Sequence, residues 1–160
     1  MSELRRRAIA GLKKGDSFVA TRTFTRDETE RFGDLTRDYN PVHYEPELAR
    51  GKGLAGPILH GLLTGSLLCE VGGQLGWLAS GMSFGFRRPV YFGDTITCRL
   101  TITELDEPTG RARAHVEYTN QHGERVLEAE LAGYLPSPAE RAVLAAIVAR
   151  GDPTNELRGA

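Results

Sequence analysis

Cysteine, methionine and tryptophan are scarce: the 160 residues include two cysteines, two methionines and one tryptophan. Cys69 and Cys98 lie inside apolar segments without the spacing of metal ligands. They are expected to be reduced, buried thiols of a cytoplasmic protein. An excess of either charge is also lacking, with 20 Lys and Arg against 21 Asp and Glu and a net charge of -1. Such a balance leaves no electrostatic footprint for nucleic acid. Residues 1–15 carry Arg5, Arg6, Arg7, Lys13 and Lys14 but no long apolar core, so a secretory signal is not expected there. No uniformly apolar run is present either. The richest, Gly61 to Ala79, contains Glu70, Gln74 and several glycines, which predicts a buried helix and no membrane insertion. There is no internal repeat and no low-complexity segment.

What is present is an ordinary globular composition, 40% hydrophobic and 26% charged, over a length that suits one domain spanning 1–160. Phe18 to Phe24 alternates as a first strand. Thr25 and Glu28 stand in capping-box register, so a helix should begin there with Phe32 and Leu35 facing the core. Asn40-Pro41 stops it, because a residue before proline avoids helical angles. A short helix is expected at Pro46 to Arg50, followed by a glycine-rich connection over 51–57.

The run from Gly61 to Ala79 is apolar around most of its circumference and must be enclosed by protein. Three period-2 segments supply the enclosure, at Thr95 to Leu105, Arg111 to Gln121 and Glu124 to Leu135. Turn residues at 107–110 and 121–123 join them as antiparallel hairpins. A further strand is expected over Met82 to Tyr91, with Arg87-Arg88-Pro89 marking an edge or a bulge. Pro138 to Arg150 reads as a terminal amphipathic helix, and the polar tail after Gly151 as loose. The class is therefore α+β, one long central helix on an antiparallel sheet.

The chemistry concentrates in Asp38-Tyr39-Asn40-Pro41-Val42-His43 and in Leu59-His60-Gly61-Leu62-Leu63-Thr64-Gly65-Ser66. A proline-stiffened turn between Asp38 and His43 holds a carboxylate and an imidazole toward one point. Side chains of these types titrate near about 3.9 and about 6.5, so both handle protons near neutrality. Asp, Asn and Pro are also common turn formers, and Asp38 read that way simply caps a turn. Asp38, His43 and His60 suggest a metal triad at first sight, but no pair has helical i, i+4 spacing, and no metal is expected. His60 reads instead as a structural histidine near the helix start. His115 and His122 fall on a polar strand face and in a turn, and are expected to be solvated.

Asp38 to His43, with Ala49 six positions after the histidine, resembles the hydratase signature of the MaoC-like family: Asp-x-Asn-Pro-aliphatic-His, then a small residue. Pro57 to Leu62 is similar to that family's entry into its central helix, and Gly15-Asp16 and Gly93-Asp94 to other recurrent features. The likeness spans about Gly15 to Leu135, which sets the expected core near 15–135 and leaves a C-terminal helix and tail over 136–160. Arg37 departs from the pattern, since a small residue more often precedes the aspartate; the departure bears on substrate range.

The resemblance implies the hot-dog fold, a homodimer, and an active site near the subunit interface. It also implies reversible hydration of trans-2-enoyl thioesters to (3R)-hydroxyacyl thioesters. Asp38 would be the base for water attacking C3, and His43 would hold that water and deliver a proton to C2. Gly61 would offer its N–H to the thioester oxygen, as the start of a helix can. Asn40 would fix the loop, and Ser66 matches a polar position near the site. Arg87, Arg88 and Lys52 are candidates for the phosphates of coenzyme A or a carrier arm, though such residues are more often surface charge. No cofactor is expected beyond that carrier, which belongs to the substrate. Alternatives are a dehydratase acting on acyl carrier protein, a hot-dog thioesterase, and a non-catalytic acyl-binding module.

Overall fold

Alternation of apolar and polar residues fixes which strand faces are buried, and the sheet follows from it. The computed structural model describes residues 2–151. Its five strands are β1 (Ser17–Thr23), β2 (Leu78–Phe86), β3 (Thr95–Leu105), β4 (Arg111–Thr119) and β5 (Arg125–Tyr134). They form one antiparallel sheet in the order β1-β3-β4-β5-β2. Ile96, Cys98, Leu100 and Ile102 of β3 are buried, as are Ala112, Ala114, Val116 and Tyr118 of β4 and Leu127, Ala129 and Leu131 of β5. Register places Cys98 opposite Tyr118 and Val116 opposite Ala129, so one continuous apolar face results. The Gly15 and Gly93 turns bracket the β1–β3 pair, with Gly15 N–H donating to Ile102 O at 2.8 Å and Gly93 N–H to Phe24 O at 2.8 Å.

The helices are α1 (Glu3–Ala10), α2 (Arg26–Thr36), α3 (Pro46–Gly51), α4 (Gly61–Gly65), α5 (Leu67–Leu75) and α6 (Pro138–Ala149), with a 3-10 turn at Pro41–His43. α5 lays Leu67, Leu68, Val71 and Leu75 against the sheet's apolar face, where all four are buried. α1, which periodicity did not reveal, packs on α5 through Ala8. No helix among the described residues is long and apolar enough to cross a membrane.

Several expectations are corrected. The single helix over Gly61 to Ala79 is two shorter ones, broken at Ser66, whose hydroxyl donates to Leu63 O at 2.7 Å. It stops early because Gly76 takes a left-handed φ of 73° and caps α5, after which Leu78 opens β2. β2 accordingly runs over 78–86 rather than 82–91, leaving Arg87, Arg88 and Pro89 beyond its end; it is an edge strand, as expected. Leu35 is 82% exposed and Phe32 alone of that pair packs on the core. Cys98 is buried but Cys69 is exposed, because α5 turns that side away from the sheet. The Thr25–Glu28 capping box forms as read, and a second, Ser137–Glu140, starts α6. The tail expected to be loose lies, from 152 onward, outside the described residues.

Candidate active site

α2 ends at Arg37, which takes a left-handed φ of 59°, the only non-glycine among the described residues with a positive φ. This cap swings the chain out of the helix and presents Asp38. Glycine or asparagine enters that conformation at lower cost, so Arg37 holds it against its own Cβ. The loop is then locked by its own side chains. Asp38 Oδ1 accepts from Asn40 N–H at 3.2 Å, and Asn40 Oδ1 accepts from Val42 N–H at 3.2 Å. Asn40 thereby caps the 3-10 turn that carries His43 inward. Asp38 thus behaves as a turn former, the structural reading the sequence offered.

His43 is buried, and its Nδ1 lies 2.9 Å from Ile58 O. A carbonyl can only accept, so the proton sits on Nδ1 and Nε2 is left as a bare acceptor. Desolvation pushes the His43 pKa below its ordinary 6.5; His60 acts in the same direction, while the Ile58 carbonyl and Asp38 oppose it. The neutral ring is therefore the resting form at pH 7. An Asp38 carboxylate oxygen and a ring nitrogen each from His43 and His60 lie within 4.8 Å of one another. That span suits one water bridging Asp38 and His43, since two hydrogen bonds of about 2.8 Å reach slightly farther.

The same proximity revives the metal triad. The His43 and His60 rings are stacked, however, with centroids 3.8 Å apart and planes at 29°. Ring-nitrogen lone pairs lie in the ring planes, so stacked imidazoles aim them side by side and not at a shared ion. Nδ1 of His43 and Nε2 of His60 are both committed to carbonyls as well. The arrangement suits proton handling and does not suit a metal.

Beside this pair lies a cavity of about 680 Å³, lined by Phe32, Ile58, Leu62, Phe86, Val126 and Leu127 among others, with Asp38, His43, His60 and Gly61 on its wall. Its size falls in the range of small-molecule sites and its lining is mostly apolar. Gly61 opens α4 there, and a side-chain carbon added to it would sit 2.5 Å from the Phe86 ring. A side chain at this position would have to displace the Phe86 ring. Arg87 and Arg88 also reach the cavity wall, but Arg87 pairs with Glu128, and Arg88 lies 3.8 Å from Glu124. Ser66 is exposed and does not line the cavity, and Lys52 lies away from it in the turn after α3. Neither therefore contributes to the cavity wall of this chain. The geometry thus gathers Asp38, Asn40, His43 and Gly61 and leaves Ser66 and Lys52 out. His115 pairs with Glu130 at 2.6 Å on the outer sheet face, and His122 is exposed, both as expected.

The sequence missed the cavity wall, because Phe32, Leu54, Phe86 and Val126 come from four separate segments and no local pattern joins them. It also missed the reach of His60 into the Asp38 loop. The one local signal was Gly33, where a side-chain carbon would lie 1.9 Å from the Tyr44 hydroxyl of that same loop.

This layout of a helix on an antiparallel sheet, with a carboxylate and an imidazole beside an apolar cavity, is that of a hot-dog hydro-lyase. The profile of the MaoC like domain matches residues 11–126, so the chain belongs to the MaoC-like family. It is 30% identical over 129 residues to an (R)-specific enoyl-CoA hydratase of Aeromonas caviae, covering 78% of this chain and 96% of that one. It is 29% identical over 131 residues to a mitochondrial 3-hydroxyacyl-[acyl-carrier-protein] dehydratase of Arabidopsis thaliana, covering 79% of each. Among solved structures, an unliganded R-hydratase of Pseudomonas aeruginosa superposes with a TM-score of 0.72 at 27% identity, covering 81% of this chain and 85% of that one.

Proposed function

We propose that the protein catalyses the reversible hydration of trans-2-enoyl-CoA thioesters to (3R)-3-hydroxyacyl-CoA, with Asp38 and His43 as the reacting pair. One observation carries this reading: the carboxylate and the imidazole approach within a water's span on the wall of an apolar cavity. The acyl chain occupies that cavity, where each buried methylene contributes about 0.8 kcal/mol. The α4 N-terminus faces the thioester, and Gly61 N–H receives the negative charge that grows on the carbonyl oxygen.

The resting tautomer changes one detail of the mechanism expected from sequence. His43 Nε2 carries no proton at the outset, so it cannot be the original donor to C2. The pair instead accepts both hydrogen bonds of the bridging water. As the water oxygen bonds to C3, one O–H breaks and its proton passes to the pair, and that same proton is then delivered to C2. The C3–O and C2–H bonds form, the double bond is consumed, and the enzyme ends as it began. Dehydration is the reverse path. No electrons leave the substrate, so the chemistry calls for no redox cofactor.

Coenzyme A is preferred over acyl carrier protein as the carrier because the Aeromonas hydratase matches this chain along nearly its whole length. Two copies are inferred to pair through β2, whose Met82 and Phe86 are 46% and 55% exposed. A cytoplasmic location accords with two free thiols, one of them exposed. The direct test follows the ultraviolet absorbance of crotonyl-CoA with wild type, D38N and H43A. The conjugated band should fall with wild type and persist with both variants, since an aligned acid/base pair is worth roughly 10²–10⁴-fold in rate. Near-full activity in D38N would remove Asp38 from the mechanism.

A further inference from the structure

His60 occupies the N-cap position of α4 but does not cap it. Its side chain turns back across 22 residues of sequence, and Nε2 meets the backbone carbonyl of Asp38 at 3.0 Å. The same nitrogen lies 3.9 Å from Asp38 Oδ2. One ring face stacks on His43 at 3.8 Å, and Phe32 lies at 5.2 Å in a tilted arrangement. Because a carbonyl only accepts, Nε2 must carry the proton, which leaves Nδ1 bare. Nδ1 is buried without a hydrogen-bond partner, in a residue 2% exposed. Leaving a buried polar atom unpaired costs about 1–3 kcal/mol. A phenylalanine or leucine would fill the space without that cost, so the imidazole is retained for what Nε2 does.

We propose that His60 is a positioning residue that fixes Asp38 and His43 relative to each other, by donating from Nε2 to the Asp38 carbonyl while its ring backs the ring of His43. Tyr44 supplies the second donor to the same carbonyl, its hydroxyl lying 3.2 Å away. Together they clamp a residue whose half-exposed side chain is otherwise held by the Asn40 N–H, and whose own helix has ended at a strained cap. The stacked ring stops His43 from tilting and holds its imidazole within a water's span of the Asp38 carboxylate. His60 touches neither water nor substrate in this scheme; it acts through the pair, and the proposal rests on Asp38 and His43 being that pair.

Three variants test it beside D38N and H43A: H60F, which keeps a ring against His43 but no donor; H60Q, which restores an N–H near the Nε2 position; and Y44F. A misplacement of about 1 Å costs about 10²-fold, so H60F should lower kcat by about that factor. Its KM for crotonyl-CoA should stay within about threefold, as for an interaction that aligns the reacting groups and does not bind substrate. H60Q should recover about tenfold of the loss, and Y44F should lower kcat in the same direction by less. Folded H60F with wild-type kcat, or H60Q no better than H60F, would overturn the positioning role. If H60F does not fold, Y44F decides: lower kcat at unchanged KM supports the clamp, and wild-type kcat overturns it. Activity in D38N or H43A would sink the catalytic pair itself, whatever the His60 variants do. Inert D38N and H43A beside a fully active H60F would remove the clamp alone.

Discussion

At the scale of single residues, His43 sets how the protein answers to pH. Its burial holds its pKa below 6.5, and its neutral form is the one whose Nε2 accepts from water. The acidic limb of log kcat/KM should therefore bend below pH 6.5, and acid should depress the rate of hydration before it unfolds the chain. Stability moves the same way. A histidine whose folded pKa is depressed contributes stability above its unfolded value that is lost as pH falls through the folded value. Midpoints of urea unfolding should thus rise with pH across that window in wild type and show a weaker rise in H43A. A wild-type acidic limb lying above pH 6.5 would contradict the lowering of the His43 pKa by burial. Asp38 and His43 were legible in the sequence because one short turn holds both, and because that turn resembles the MaoC-like signature, which weighed against a purely turn-forming Asp38. His60 was seen near a helix start, but its target lay in the loop before His43, and sequence separation hides such a bond. Ser66, expected near the site from the resemblance, stands at the break between α4 and α5, where its hydroxyl donates to Leu63 O off the cavity wall of this chain.

At the scale of elements, what was legible had local causes. β3, β4 and β5 followed from strict alternation, and α2 from a capping box whose partners are three residues apart. The central helix was misjudged because its break has a tertiary cause. Tyr118 on β4 is fully buried, and its hydroxyl donates to Gly65 O at 2.8 Å at the end of α4. That bond satisfies a carbonyl at the break and pins α4, and with it Gly61, to the middle of the sheet. Hydrophobic periodicity sees a continuous apolar run there and carries no sign of the interruption. Tyr118→Phe keeps the ring and strands that carbonyl, so it should destabilise the protein by about 1–3 kcal/mol, read as a lower urea midpoint. A Y118F midpoint equal to wild type would mean that the break is set by Ser66 and Gly65 alone.

At the scale of the whole molecule, the sheet ends in two edge strands, β1 and β2. β2 is an edge strand of nine residues, exposed along most of its length, with Leu78 71%, Met82 46% and Phe86 55% exposed. Native proteins blunt such an edge with charge, proline, a covering element or a partner. β2 carries neither charge nor proline and has a bulge between Ala79 and Gly81; pairing with a second copy would cover the rest, and a two-fold axis across antiparallel edges would satisfy both copies at once. The inferred pairing also bears on the site. Phe86 and the 59% exposed Leu62 belong to the cavity wall, so a partner across β2 would close the side that this chain leaves open. Sedimentation of wild type at micromolar concentration should report the mass of two chains. Met82→Lys, which sets a charge in the middle of the edge and lies outside the cavity lining, should weaken the dimer by at least about tenfold. Hydratase activity should fall on dilution in step with dissociation, and earlier in the variant than in wild type. Wild type sedimenting as one chain with full activity would show that the cavity works as it stands and that β2 serves another purpose.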